Sequence, residues 1–90
     1  MPMNLARINE RMSHLKDWAI DGGALVKDIE LGNFREAMIF VNKVSDIAER
    51  LNHHPDILIS YNLVRLTLIT HSERCLTDKD FETAEEIDKI

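Results

Sequence analysis

The chain has 90 residues, a net charge of −5 and an apolar fraction of 44%, so it is expected to fold as one domain over 1–90, too small to bury much of its surface without self-association. No apolar run approaches the roughly 18 residues of a membrane span, and the lysines and arginines are scattered singly, without the positive stripe a nucleic-acid binder carries. The start, Met1-Pro2-Met3-Asn4-Leu5, lacks a basic-then-apolar export signal and Cys75 is the only cysteine, so a cytoplasmic protein is expected.

In chain order, Asn4 to about Trp18 reads as a helix, with Leu5, Ile8, Met12 and Leu15 recurring at spacings of three and four and Asn4 as its cap. Asp21-Gly22-Gly23 is a turn between a short strand at Trp18–Ile20 and a second at Ala24–Leu31. Asn33, with Glu36 three residues on, has the spacing of a capping box. A long helix follows from Phe34 to about Asn52, and Pro55 stops it. Ile57–Tyr61 and Leu63–His71 are strand-like around a bend at Tyr61-Asn62, and Asp80–Ile90 is again helical. The order predicts an α+β fold of two layers: a four-stranded antiparallel sheet with three helices on one face, α-β-β-α-β-β-α. Along the last strand Val64, Leu66 and Leu68 point to the core and Arg65, Thr67 and His71 away from it.

The long helix is more apolar than one sheet requires. Phe34, Ala37, Met38, Phe40, Val41, Val44, Ile47, Ala48 and Leu51 spread over about half its circumference, with Ile39 outside that arc. A wide core helix accounts for this, as does a second copy packing on Phe40 and Ile47 at one edge of the stripe.

Three of the four histidines, His53, His54 and His71, lie at the end of this helix and in the hairpin after it. Imidazole, with an unperturbed pKa of about 6.5, exchanges protons near neutral pH. A turn near Asn62 pairs residues whose numbers sum to about 125, which sets His71 opposite His53 and His54. Glu49 lies one turn before His53 on the same helix side, where a carboxylate can orient an imidazole. Adjacent histidines before a proline also serve as a plain helix C-cap. Glu49, His53 and His71 form a possible facial metal set, although neighbouring histidines seldom reach one ion and no ligand-rich motif is present. Acid–base catalysis or ligand binding by imidazoles is the third reading. The residues alone leave all three open.

The ordered set Glu49, His53-His54-Pro55, Tyr61, His71 and Asp80, with Asn33-Phe34, Ala37, Val44, Ala48, Asn62, Val64, Thr70 and Leu76-Thr77 around it, resembles the pterin-4a-carbinolamine dehydratases over about residues 18–88. The resemblance implies dehydration of 4a-hydroxytetrahydrobiopterin, or a related reduced pterin, to the quinonoid dihydropterin and water, in tetrahydropterin recycling. It implies no metal and no organic cofactor. His53 and His71 are implied as acid and base and His54 as the residue that holds the pterin. Asn52, Pro55, Thr70, Ser72 and the backbone of Ile69 are implied contacts to the pterin edge. Glu49 and Asp80 are implied supports behind the histidines, Asp80 having helix capping as a rival role. Dimers or tetramers through the 34–52 helix and the sheet edges are implied too. Some relatives also act as binding modules that stabilise a dimeric transcription factor through the same helical surface, and for this chain such a role without catalysis is the alternative. The chain departs from the family pattern in carrying Asn52 for a frequent Asp, Ile57 for a frequent aromatic and Cys75 for a frequent Gly. If the last position needs positive φ, its loop must be reshaped.

Overall fold

The computed structural model describes residues 3–90. Helix α1 (Leu5–Met12) begins as expected, the Asn4 side chain accepting from the Arg7 N–H at 2.8 Å. It ends short of Trp18, however: residues 13–15 make tighter turn bonds, and Asp17 adopts a left-handed φ of 59°. That reversal delivers Trp18 into the core, where the indole is buried and its Nε1 donates to Asp88 at 2.9 Å.

Strands β1 (Ala19–Asp21) and β2 (Ala24–Glu30) are joined by Gly22-Gly23, both at positive φ. A two-residue hairpin loop of this kind matches the right-handed strand twist and admits few residues other than glycine. Helix α2 (Phe34–Leu51) starts at Asn33, whose side chain accepts from the Glu36 N–H at 2.9 Å. Glu36 reaches back to the N–H of Gly32 at 2.7 Å, one residue earlier than a strict capping box requires. Strands β3 (Asp56–Ser60) and β4 (Leu63–Leu68) form the second hairpin, and α3 (Asp78–Ile87) closes the fold.

The sheet is antiparallel throughout, in the order β1-β2-β4-β3. The two hairpins therefore meet through their second strands, and the predicted α+β class stands. Leu25, Val64, Leu66 and Leu68 face the helices and are buried with Ala37, Val44, Leu76, Phe81, Ala84 and Ile87. Arg65 and Leu63 lie exposed on the other face, as the alternation of β4 predicts. Among the described residues no helix is long and apolar enough to cross a membrane.

Two details of α2 bear on its wide apolar stripe. Phe40 and Ile47 are half-buried in the fringe of the core together with Ile29, Ile57 and Ile59. The residues left bare are Phe34 and Ile39. The sheet's own isoleucines widen the buried arc of the helix, and the apolar side chains left exposed are one at the start of the stripe and one outside it.

Helix α1 carries no fully buried residue; Ile8 and Met12 pack partly buried against the core, and ion pairs lie around them. Arg7 and Arg11 reach Asp78 at 3.0 and 3.2 Å, and Arg11 reaches Glu85 at 3.3 Å. The Arg11 guanidinium also lies 5.7 Å from the centre of the Phe81 ring, within cation–π range. Asp88 gathers three partners from two distant segments: the Lys16 N–H at 2.9 Å, the Trp18 indole at 2.9 Å and the Lys27 ammonium at 2.7 Å.

Candidate active site at the end of helix α2

The site is built by the way α2 stops. His53 N–H bonds to the Ala48 carbonyl at 3.1 Å and Asn52 N–H to the Glu49 carbonyl at 3.3 Å, while Asn52 takes φ 50°, ψ 43°. This is a Schellman termination with asparagine at the left-handed position, a residue that tolerates αL better than others with a Cβ. The helix thus ends three residues before Pro55. The reversal at Asn52 swings the two histidines in different directions.

Expected to orient His53, Glu49 instead meets His54, whose Nε2 lies 2.5 Å from its Oε2. Both side chains are exposed, at 54% and 75%. One-turn spacing pairs residues only while the helix continues, and the αL residue between them rotates His53 away. A Glu49–His53–His71 facial set does not form, and among the described residues no group of three or more His, Cys, Asp or Glu side chains is placed to hold a metal ion.

His53 turns inward. Its Nε2 is 2.6 Å from Asp80 Oδ1, with the imidazole 12% and the carboxylate 0% exposed. Asp80 sits in the first turn of α3, where the positive end of the helix dipole favours a carboxylate. Its second oxygen accepts from the Thr77 N–H at 2.9 Å, completing a capping box, and from the Thr70 hydroxyl at 2.8 Å. The hydroxyls of Thr70 and Thr77 are 2.7 Å apart. Asp80 therefore caps α3 with one oxygen and meets His53 with the other.

The hairpin register differs from expectation by two residues. Ser60 faces Leu63 and Asp56 faces Thr67, so paired numbers sum to 123, and this is where the ladder ends. Strand β4 stops at Leu68, and His71 lies exposed in the following turn, closed by Glu73 N–H to the Thr70 carbonyl and Arg74 N–H to the His71 carbonyl. His71 is tied to the corner through its neighbour Thr70, not through strand pairing. The left-handed residue of this turn is Arg74, at φ 55°, so Cys75 occupies a frequent glycine position without needing positive φ. Of the other implied pterin contacts, Asn52 and Ser72 are exposed, Pro55 and Ile69 half-buried, and Thr70 buried with its hydroxyl on Asp80. Thr77 was not singled out as a site residue from sequence, although the Thr77-x-x-Asp80 spacing is a readable capping signal.

Hydrogen bonds from Lys89 and Arg50 lower the Glu86 pKa, and the hydrogen bond from Arg65 on the outer sheet face lowers that of Asp28.

The sequence model of the pterin 4 alpha carbinolamine dehydratase family matches residues 1–90. A relative in Sulfolobus acidocaldarius is 40% identical over 90 residues, covering 100% of this chain and 99% of its own. One in Chloroflexus aurantiacus is 45% identical over 85 residues, covering 94% and 91%. Both bear the pterin-4-alpha-carbinolamine dehydratase name as a provisional assignment. The crystal structure of a transcriptional coactivator/pterin dehydratase from Brucella melitensis superposes with a TM-score of 0.91 at 31% identity, over 99% of this chain and 97% of that one. A pterin dehydratase-like protein described as a RuBisCO assembly factor of the alpha-carboxysome shares the fold at TM-score 0.70 and 20% identity, over 84% and 90%. This chain belongs to the pterin-4a-carbinolamine dehydratase family.

Proposed function

We propose that the protein dehydrates a 4a-hydroxytetrahydropterin to the quinonoid dihydropterin, by proton transfer through His53 and His71, with His54 holding the pterin. The observation that carries this reading is the buried carboxylate behind His53: Asp80, fully enclosed and 2.6 Å from Nε2. A histidine that merely ended a helix would need no such partner. The reaction removes a proton from a pterin ring nitrogen and delivers one to the departing 4a-hydroxyl, and general acid–base groups of this kind typically contribute about 10²–10⁴-fold. Asn52, Ser72, Pro55 and the Ile69 backbone are assigned to the pterin edge, and Glu49 to orienting His54.

The test is to generate 4a-hydroxytetrahydropterin in situ and follow its ultraviolet decay. Acceleration by the wild type that disappears in His53→Ala/His71→Ala supports the reading. A folded wild type that leaves the decay unchanged rejects it for this substrate.

Assembly belongs to the same proposal. Exposed Ile39 lines a groove of about 350 Å³ together with Ile29, Leu31, Phe40 and Ile90 and the charged Glu36 and Lys43, and a second copy of α2 would cover it. Ile39→Asp is expected to shift the protein toward monomer in sedimentation while leaving pterin turnover in place. The alternative, a protein-binding module without catalysis, draws on the coactivator name of the Brucella relative; it predicts that neither the wild type nor His53→Ala/His71→Ala changes the decay of the hydroxypterin.

A further inference from the structure

The hydroxyls behind His53 form a chain with a fixed direction. Asp80 Oδ2 already accepts two hydrogens, from Thr77 N–H and from the Thr70 hydroxyl, so a third hydrogen has no place on that oxygen. Thr70 has spent its one proton there. The 2.7 Å contact between the two threonine oxygens must then be donated by Thr77, whose oxygen in turn accepts the Asp80 backbone N–H in the capping box. Every hydrogen in the ring is assigned, and all of them run toward the carboxylate. Only Oδ1 remains, and it faces His53 Nε2 at 2.6 Å.

A carboxylate with one oxygen saturated and the other turned to imidazole accepts from that imidazole. The hydrogen between them therefore rests on Nε2, and the lone pair of neutral His53 rests on Nδ1. Among the described residues that atom has no hydrogen-bond partner, and it is not sealed off: the one buried polar side-chain atom without a partner among them is Arg11 Nε. Nδ1 is thus an open acceptor on an otherwise largely enclosed ring.

We propose that Thr70 is a positioning residue which, through Asp80, fixes His53 as the Nε2–H tautomer and makes Nδ1 the nitrogen that receives the substrate's proton. The assignment of roles rests on the dehydratase reading; the tautomer does not. In that reaction Nδ1 takes the ring N–H proton and the N–H electron pair becomes the new C=N bond. The C4a–O bond breaks toward oxygen, and the hydroxyl leaves as water with a proton from His71. His53 ends as imidazolium and His71 neutral, and solvent exchange restores both. This fixes which histidine is base and which acid, and moves Thr70 from the pterin edge to the support behind the base.

The experiment is long-range ¹H–¹⁵N correlation of the histidine rings in the ligand-free protein at pH 8, with His53 assigned by loss of its signals in His53→Gln. The wild type is expected to show a pyrrole-type Nε2 and a pyridine-type Nδ1. Thr70→Val should mix the two tautomers and lower kcat about tenfold with little change in KM, a loss typical of one hydrogen bond to a charged group; Thr70→Ser should restore both. A wild-type His53 with its proton on Nδ1 overturns the proposal, whether or not any variant folds. So does a folded Thr70→Val whose tautomer is unchanged. Correct tautomers without pterin turnover would instead overturn the dehydratase reading and leave the positioning role intact.

Discussion

Two adjacent histidines each carry a carboxylate partner at about the same distance, yet the two pairs are different objects. His54 and Glu49 meet in water, at 54% and 75% exposure, while His53 and Asp80 meet at 12% and 0%. An exposed pair is screened by salt and opposed by the entropy of two free side chains, so such pairs are typically worth about 0–1 kcal/mol. A buried carboxylate has no water to fall back on, so each of its hydrogen bonds must come from the protein. Asp80 receives them from Thr70, Thr77 and His53. Equal distance does not mean equal work: burial and the completeness of the network decide which pair can hold an imidazole in one state.

The widest separation between the pairs is expected in turnover. His53→Ala should lower kcat/KM by about 10²–10⁴-fold, whereas His54→Ala should act mainly on KM, by about tenfold; steady-state kinetics on the hydroxypterin distinguishes them, and equal losses in kcat would erase the contrast. Next come the carboxylates. Asp80→Asn places an amide where donors already converge and should cost about 1–3 kcal/mol of stability, lowering Tm by roughly 4–8 °C per kcal/mol in a domain of this size. Glu49→Gln should leave Tm within about 1 °C, read by calorimetry.

Asp88 supplies a control, being a carboxylate that gathers Lys16, Trp18 and Lys27 but no histidine. Asp88→Ala should destabilise by about 3 kcal/mol, seen in urea unfolding, with kcat unchanged at temperatures where the variant is folded. The smallest effect concerns acid stability. The folded pKa values of Glu86 and Asp28 lie below their ordinary 4.5 and 3.8. Their contribution is therefore fully present above those values and lost as pH falls through the folded ones. Removing Arg50 and Lys89 as Arg50→Gln/Lys89→Gln should flatten the fall in Tm below pH 4.5, while Glu49→Gln should leave that profile as it is.

Much of the scaffold was legible in the chain because it rests on local rules. Asn4 and Asn33 cap the helices expected of them, Gly22-Gly23 makes its turn, and the alternation along β4 correctly separates Val64, Leu66 and Leu68 from Arg65. The early end of α1 was less visible, since Leu15 continues the apolar spacing while the pull on the chain comes from Trp18 and its distant partner Asp88. At the site the histidines and Asp80 could be named, but not their partners. Glu49 was matched to His53 by helix spacing, and one left-handed residue, Asn52, gave it His54 instead. The strand register, displaced by two positions, and the end of β4 at Leu68 removed the pairing expected to carry His71.

The sequence by itself determined the element order, the caps, the core face of the sheet and the identity of the titratable groups. Each of these depends on residues within a few positions of one another, where backbone geometry leaves little choice. Only the tertiary structure decided that the end of α2, the end of β4 and the first turn of α3 converge. His53, Thr70 and Asp80 lie 17 and 10 residues apart along the chain, and no local rule relates them. Asp80 becomes a partner for His53 because packing excludes water from that corner, and a carboxylate without water takes its hydrogens from whatever the fold brings to it.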